Sequence, residues 1–227
     1  MHGQILKEHD HMSLIELENI YFGYEEGEPV LEDLSFSVDK GTCLVITGDN
    51  GSGKTTILRI LNGLSFPDRG TYRFKGTDIN REHLKDNRNS KRFHKDIGYL
   101  FQNPDTMLFN SRVYDEIAFG PRQMGLTDSE TDERVNDLLK LFGIEALKDK
   151  VPYHLSGGQK KWVALASVMA LDPEVLIMDE PFAGLDRKRQ TWLIEFLKEL
   201  REAGKTLMIA THSDELAGDL ADKVLEL

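Results

Sequence analysis

The sequence of 227 residues predicts an α/β fold whose core is a mainly parallel sheet. Three observations support this prediction. Short apolar segments of strand length alternate with helix-length segments along most of the chain, which is the pattern of β-α-β units with right-handed crossovers. A glycine-rich turn at residues 48–56 lies directly between an apolar strand and a helix. Residues 103–154 have helical spacing instead, which indicates a helical insert in the α/β chain.

The predicted strands fall into two types. Residues 13–20 and 34–38 alternate apolar and polar side chains, as strands with one buried face do. Residues 43–47 and 175–178 form continuous apolar runs, as strands buried on both faces do. Further short strands are predicted at residues 71–74, 97–101, 206–210 and 224–227.

The predicted helices lie between these strands. The first covers residues 55–62, directly after the glycine-rich turn. Residues 128–142 carry an apolar stripe at helical spacing, formed by Val135, Leu138, Leu139 and Phe142. Other helices are predicted at residues 113–119, 157–169 and 187–203. Residues 77–89 are polar and are expected on the surface, and the basic residues 88–95 are expected to form a solvated helix or loop.

Composition narrows the function classes. The formal net charge of −11 argues against a general nucleic-acid-binding protein, because such proteins present a basic face. No window approaches the ~18 apolar residues that a membrane-spanning helix needs, so a role in transport would use the membrane helices of another protein. Cys43 is the single cysteine, which suits a reducing compartment. Residues 1–12, with His2, His9 and His11, fit no fold pattern and are expected to be a disordered arm or a cloning remnant.

Residues 48–56 read G-D-N-G-S-G-K-T-T and match the phosphate-binding pattern G-x-x-x-x-G-K-[ST]. Glycines let the backbone wrap closely, so that successive N–H groups point at phosphate oxygens, and the following helix adds its positive N-terminal end. The Lys54 ammonium is expected to reach the β- and γ-phosphates, and the Thr55 hydroxyl is expected to ligate Mg²⁺. The predicted nucleotide contacts in this loop are Gly48, Asp49, Asn50, Gly51, Ser52, Gly53, Lys54, Thr55 and Thr56.

Two acidic residues follow the apolar strand at residues 175–178. A buried parallel strand presents its ligands at its carboxyl end, which is where Asp179 and Glu180 stand. Asp179 is predicted to hold Mg²⁺ through a water molecule, opposite Thr55. Glu180 is predicted to polarise a water molecule toward the γ-phosphate as the general base.

The segment L-S-G-G-Q at residues 155–159 predicts a second anion-binding turn at the start of a helix. One γ-phosphate does not need two complete phosphate-binding turns from the same chain. We therefore expect this turn to serve a nucleotide that is held by another copy. The predicted contacts here are Ser156, Gly157, Gly158 and Gln159.

With these motifs in order, residues 13–227 resemble the nucleotide-binding domain of the ATP-binding-cassette superfamily. L-S-G-G-Q matches the family signature letter for letter, and residues 48–55 and 175–180 match its Walker A and Walker B motifs. The resemblance implies a P-loop NTPase core of the RecA type with an N-terminal antiparallel β subdomain. It also implies a helical subdomain inserted at about residues 103–165. The implied cofactors are ATP and Mg²⁺.

Four further segments match family motifs. Gln102 matches the Q-loop glutamine, which contacts Mg²⁺ and the attacking water, and His212 resembles the switch histidine that touches the γ-phosphate. Tyr24 matches the aromatic residue that stacks on adenine, and residues 183–186 resemble the D-loop at the dimer interface. The implied catalytic residues are Glu180, His212, Gln102 and Lys54. The implied metal ligands are Thr55, Gln102 and Asp179.

Residues 101–109 and 113–121 are similar to the corresponding segments of energy-coupling-factor transporters. This similarity implies the ATP-hydrolysing subunit of an importer for cobalt or nickel, placed at the cytoplasmic face of the cell membrane. The implied partners are a second copy or a paralogous ATPase in a head-to-tail dimer, together with integral membrane coupling and substrate-binding subunits. No nucleic-acid partner is expected. Two residues depart from the family, namely Met107, where Gln is usual, and Trp162, where Arg is usual.

Several alternatives stay open on the sequence. The chain could instead serve an importer of biotin or another vitamin, or a different class of ABC transporter, because all of these use the same type of ATP-hydrolysing domain. A non-transport cassette ATPase is less favoured, because such proteins usually bring coiled coils, tandem cassettes or basic linkers. A metal-delivery protein is disfavoured because His83, His94 and His154 lack metal-ligand spacing. Many relatives carry a further C-terminal segment that helps to hold the dimer, whereas this sequence ends soon after its last predicted strand. We therefore expect either a group of relatives with shorter chains or a dimer held mainly by ATP.

Overall fold

The computed structural model describes residues 13–25, 28–212, 218 and 220–227. The arm predicted at residues 1–12, with its three histidines, lies outside the described residues. Within the described part of the chain the strands form two sheets, one of four strands and one of five.

The central sheet has five strands, with bounds β3 Cys43–Thr47, β6 Ile97–Leu100, β7 Val175–Asp179, β8 Thr206–Ala210 and β9 Lys223–Glu226. Their order across the sheet is β6-β7-β8-β3-β9, and every neighbouring pair is parallel. The predicted parallel core is therefore confirmed. Strands β7, β8 and β3 are adjacent, so the residues that follow them emerge together at the carboxyl edge of the sheet.

The second sheet is antiparallel, with strands β1 Ile15–Glu25, β2 Glu28–Val38, β4 Arg69–Phe74 and β5 Thr77–Asp78. Their order is β2-β1-β4-β5. Strands β1 and β2 are longer than the sequence predicted. Asn19 and Asp33 have positive φ values and the pairing shifts register beside them. Such irregularities change which face the following side chains occupy, so the apolar alternation stops before the strand does.

The helices are α1 Lys54–Leu61, α2 Arg81–Lys85, α3 Asn87–Asp96, α4 Val113–Gln123, α5 Asp128–Leu141, α6 Gly157–Met169 and α7 Arg187–Glu202. The predicted bounds of α6 are confirmed. Helices α2 and α3 lie where the sequence predicted only polar surface and a basic helix or loop. Both begin at capping residues, Asn80 and Asp86, whose side chains accept backbone hydrogen bonds. Phe93 is the buried residue of α3, so this segment has little apolar periodicity to detect.

Alternate residues of the central sheet enter different cores. Cys43 and Val45 of β3 pack with the helices α4 to α7, whereas Leu44 and Ile46 pack with α1 and the antiparallel sheet. The period of two in a strand explains this division, and it requires both faces of the strand to be apolar. The sheet is thus the middle layer, and its carboxyl edge lies between two apolar cores.

Helices α4 and α5 follow β6 in the chain and pack with α6, and β7 follows α6. This agrees with the helical character predicted for residues 103–154, and the predicted stripe from Val135 to Phe142 is buried. The division into subdomains at about residues 103–165 stays a prediction. None of the helices in the described residues is both long enough and apolar enough to cross a membrane.

Candidate functional site

The glycine-rich loop connects the carboxyl end of β3 to the N-terminus of α1. Gly48 and Gly53 have φ values of +142° and +100°, which residues with a side chain rarely adopt. A Cβ atom at Gly48 would lie 2.7 Å from the carbonyl oxygen of Leu227 and 2.8 Å from Oγ of Ser52. The first glycine of the pattern is therefore needed for space as well as for backbone conformation.

Polar groups converge on the inside of this loop. The buried Lys54 ammonium donates hydrogen bonds to the carbonyl oxygens of Gly48 and Asp49, at 2.6 and 2.8 Å. The Ser52 hydroxyl is buried and has no hydrogen-bond partner among the described residues. Buried hydroxyls are nearly always paired, so an unpaired one inside a loop of backbone donors fits a bound anion. The loop therefore fits the phosphate groups of a nucleotide.

The predicted metal ligands of the two motifs lie side by side. The Thr55 hydroxyl donates a hydrogen bond of 2.8 Å to Oδ2 of Asp179, at the carboxyl end of β7. Burial raises the pKa of the Asp179 carboxyl, and the hydrogen bond from Thr55 opposes that rise. A hydroxyl and a carboxylate oxygen at this spacing are the hard oxygen donors that Mg²⁺ prefers. The donor set fits Mg²⁺.

Glu180 is joined to the segment that follows β8. Its Oε1 atom accepts a hydrogen bond of 3.0 Å from the backbone N–H of His212 and lies 2.8 Å from Nδ1 of the same residue. Its Oε2 atom accepts a hydrogen bond of 3.2 Å from the Thr211 hydroxyl. Parallel neighbours β7 and β8 bring these residues together, since both segments leave the same edge of the sheet. Glu180 also has a positive φ of +47°, an uncommon conformation for this residue type.

Tyr24, Gln102 and His212 line two adjacent cavities of about 370 Å³ each at this edge. The Tyr24 ring is 59 % exposed, and its hydroxyl lies 3.2 Å from Oγ1 of Thr56. An exposed ring beside the loop can stack on a planar base. Gln102 follows β6 and lines the same cavity as Thr55 and Asp179. The second cavity is lined by Thr47, Gly48, Asp49, Asn50, His212 and Glu226.

The segment at residues 156–159 lies elsewhere on the chain. The Ser156 oxygen accepts a hydrogen bond from the Gln159 N–H, and the Gln159 side chain accepts one from the Ser156 N–H. This reciprocal capping starts α6 and leaves Ser156 and Gly157 exposed. The residues that line the two cavities do not include this segment. A single chain therefore does not bring both predicted phosphate cradles together.

The two residues that depart from the resembled family have structural roles. The Met107 sulfur accepts a hydrogen bond from the Phe101 N–H at 3.4 Å, and its side chain packs against the helical core. Trp162 is buried between the rings of Phe142 and Trp192. Both side chains thus serve the packing around the helices.

Sequence reasoning missed two residues near the site. Thr211 holds Glu180, and the buried Lys161 ammonium in α6 donates hydrogen bonds to the backbone directly after β7. A lysine within the apolar part of a helix is the signal that could have identified Lys161. The described part of the chain contains no group of three or more His, Cys, Asp or Glu side chains that could hold a metal ion. Thr55 and Asp179 form a smaller donor set, which a nucleotide would complete.

Known proteins resemble this chain in sequence. It is 48% identical over 202 residues to a Clostridium acetobutylicum protein named only as an ABC transporter ATP-binding protein, covering 89% of this chain and 83% of the other. The nickel import ATP-binding protein LarO of Lactiplantibacillus plantarum is 46% identical, with coverages of 88% and 83%. The energy-coupling factor transporter ATP-binding protein EcfA of Methanocaldococcus jannaschii is 39% identical, with coverages of 94% and 75%.

Solved structures resemble the fold. The structure of cbiO1 from Clostridium perfringens, described as part of the ABC transporter complex cbiONQ, gives a TM-score of 0.81 at 35% identity, over 94% of this chain and 84% of the other. The structure of a dimeric ATP-binding cassette in a post-hydrolysis state, bound to ADP and Pi, gives a TM-score of 0.86 at 27% identity, over 94% of both chains. A family model described as ABC transporter matches residues 31–183. The chain therefore belongs to the ABC transporter family, as an ATP-binding subunit that hydrolyses ATP.

Proposed function

We propose that this chain is the ATP-hydrolysing subunit of an energy-coupling-factor importer, and that it powers uptake of nickel or cobalt at the cytoplasmic face of the cell membrane. The observation that carries the proposal is the similarity, over at least 88% of the chain, to LarO, EcfA and cbiO1. Their names or descriptions include nickel import, an energy-coupling factor transporter and an ABC transporter complex. An importer of biotin or another vitamin is the alternative, because a separate subunit would select the cargo.

The residues at the carboxyl edge of the central sheet have different roles in ATP hydrolysis. The loop from Gly48 to Thr56 binds the phosphates, and the Lys54 ammonium neutralises charge on the β- and γ-phosphates. Thr55 and Gln102, together with Asp179 through a water molecule, would hold Mg²⁺, which would help to neutralise the negative charge that develops on the phosphates. Glu180 accepts a proton from the attacking water, and His212 orients the Glu180 carboxylate and contacts the γ-phosphate. Tyr24 stacks on the base.

Two chains complete each site. Ser156, Gly157, Gly158 and Gln159 do not line the loop cavities of their own chain, which supports a head-to-tail pair in which they meet the nucleotide of the partner. The dimeric ADP-bound cassette supports this arrangement. The partner is a second copy or a paralogous ATPase. ATP binding closes the pair, and hydrolysis with release of product opens it.

Membrane subunits receive this motion through the helical region that follows Gln102. Phe109 and Tyr153 are exposed large side chains in this region, and Phe109 contacts the half-exposed Phe119 ring. Exposed aromatic groups are common at protein interfaces. The membrane partners are a coupling subunit and a substrate-binding subunit, as the membership of cbiO1 in a complex supports.

Substitution of Glu180 by glutamine tests the chemistry. Glu180→Gln is expected to bind ATP with unchanged affinity and to lower the turnover number by at least ~10²-fold, because the general base is lost. Glu195→Gln is the matched control, since Glu195 is an exposed residue of α7 that pairs with Lys198. Both are measured as phosphate release per folded chain. Rapid hydrolysis by Glu180→Gln would refute the assigned base.

Transport is tested with the complete complex. The chain is co-expressed with candidate coupling and substrate-binding membrane subunits, purified with those that associate with it and placed in liposomes that contain MgATP. Radioactive nickel or cobalt is expected to accumulate only with a catalytically competent chain, and the Glu180→Gln complex is the control. Accumulation of biotin without metal would establish the alternative cargo. Failure of the chain to associate with any membrane protein would overturn the transport proposal.

A further inference from the structure

The buried ammonium of Lys161 connects the helix of the L-S-G-G-Q segment to the backbone beside Glu180. Lys161 is only 5% exposed. Its Nζ atom donates hydrogen bonds to the carbonyl oxygens of Glu180, Pro181 and Ala183, at 3.0, 3.2 and 2.6 Å. A lysine ammonium has three N–H donors, so the three acceptors satisfy it completely. It forms no ion pair in the part of the chain that the structure describes.

The turn that accepts these hydrogen bonds has an unusual backbone. Glu180 has a φ of +47° and Gly184 a φ of +74°, and the N–H groups of Ala183 and Leu185 complete the turn by pairing with the carbonyl oxygens of Glu180 and Phe182. Three carbonyl dipoles pointing at one place repel each other unless a positive group lies between them. The Lys161 ammonium therefore stabilises the conformation in which the Glu180 carboxylate faces Thr211 and His212.

Lys161 also stands close to the other half of the proposed machinery. It lies five residues after Ser156, which caps α6, in the helix whose first turn is proposed to meet the partner's nucleotide. The turn that it holds carries the carboxylate proposed to act on the chain's own nucleotide. Desolvation lowers the pKa of the Lys161 ammonium, and the nearby Glu180 carboxylate opposes that change. Burial of a charge at this point is a cost that the three hydrogen bonds offset.

We propose that Lys161 is a positioning residue, which holds the catalytic carboxylate of Glu180 in place and makes it move together with the first turn of α6. The inference rests on the proposed function of Glu180 and of residues 156–159. It adds a connection within one chain between the two composite nucleotide sites of a dimer. Engagement of the partner's phosphate by α6 is transmitted through this ammonium to the chain's own general base.

Replacement of Lys161 by methionine tests the proposal, since Met keeps most of the side-chain length and removes the three donors. The turnover number is expected to fall ~10²-fold, because a displacement of about 1 Å in a reacting group has that effect. The affinity of the chain for ATP is expected to stay within twofold, since residues 48–56 are unchanged. Lys205→Met is the matched control. Lys205 directly precedes β8 and donates hydrogen bonds to the backbone and side chain of Asp172, which precedes β7. This contact lies at the amino edge of the sheet, opposite to Glu180.

A double-mutant cycle distinguishes positioning from mere stabilisation of the fold. In a chain that already carries Glu180→Gln, the change Lys161→Met is expected to lower the remaining turnover less than twofold, because it acts through the missing carboxylate. An independent tenfold loss in that background, or an unchanged turnover number in Lys161→Met alone, would overturn the proposal. A parallel loss of turnover and ATP affinity would also overturn it, because that pattern indicates a general structural role.

Lys161→Arg is the second variant, and it keeps the proposal testable if Lys161→Met does not fold. The planar guanidinium retains the charge but does not present three N–H groups on a single nitrogen atom, as the ammonium does. Lys161→Arg is expected to fold, to bind ATP within twofold of the wild type and to recover only part of the turnover. Full turnover in Lys161→Arg would overturn the proposed geometry. Rapid hydrolysis by Glu180→Gln would instead refute the proposed function, so the two failures are distinguishable.

Discussion

Truncation of Trp162 to alanine should strongly destabilise this chain, because its ring joins three helices. Trp162 in α6 is 5% exposed, and its ring centroid lies 5.9 Å from that of Phe142 and 5.1 Å from that of Trp192. Phe196 completes the aromatic cluster, with centroids 5.5 Å from Phe142 and 5.2 Å from Trp192. Phe142 follows α5, and the other two rings belong to α7. Removal of the Trp162 ring therefore leaves a cavity where these helices meet.

The size of the effect follows from burial and from the number of ring pairs. Truncating a buried large aromatic residue to alanine costs about 3–5 kcal/mol. Each aromatic pair contributes about 0.5–1.5 kcal/mol beyond its buried area, and Trp162→Ala removes two such pairs. A loss near the top of the first range, about 4–5 kcal/mol, is expected. Trp192→Ala is the matched comparison. It removes three ring pairs, but it should cost less, about 3 kcal/mol, because Trp192 is 37% exposed and its ring is only partly removed from water on folding.

Urea unfolding followed by far-ultraviolet circular dichroism measures both losses, since this signal does not depend on the removed indole. The midpoints are converted with a common m value. A loss below about 2 kcal/mol for Trp162→Ala, or a larger loss for Trp192→Ala, would refute the packing argument. If Trp162→Ala does not fold, Trp162→Leu should show a smaller loss. Trp162→Arg should be less stable than Trp162→Leu, because an unpaired guanidinium would be buried among rings.

Two further predictions concern an ion pair and the dimer. Partial burial alone would raise the pKa of Glu174, but hydrogen bonds from Lys75 and Lys40 outweigh it and hold that pKa below its usual 4.5. The resulting stability is present above pH 4.5 and is lost as the pH falls through the lowered value, so Glu174→Gln should cost about 0.5–1 kcal/mol at pH 7 and nothing at pH 2 by urea unfolding. Ser156→Phe should preserve folding and ATP binding but abolish turnover, because the bulky ring would block the partner's nucleotide. Ser129→Phe, at another exposed serine, should keep normal turnover. Undiminished ATP hydrolysis per chain by Ser156→Phe, or by the wild type at extreme dilution, would contradict the shared site.

The strands that position the site were predictable because their signal is local. Strands β3, β7 and β8 are short apolar runs, and each is followed directly by a residue type with a chemical role. The all-parallel order of the sheet agrees with the β-α alternation in the sequence. Helix α2 was missed, and α3 was predicted only as a helix or loop, because these segments bury little apolar surface and only the capping residues mark their starts. The lengths of β1 and β2 were missed because irregular pairing disrupts the alternation.

The prediction of a phosphate-binding loop follows from the sequence alone, since the glycine spacing and the Lys54-Thr55 pair lie within a few consecutive residues. The contacts of Glu180 were decided by the tertiary structure, because its partners Lys161, Thr211 and His212 come from segments 19 to 32 residues away in the chain. Parallel pairing of β7 with β8 brings Thr211 and His212 to the carboxylate, and the packing of α6 brings Lys161 to the backbone carbonyl oxygen of Glu180. A motif identifies a residue by its neighbours in the chain, whereas an ammonium that three distant carbonyl groups bind is defined only once the helices and the sheet have packed.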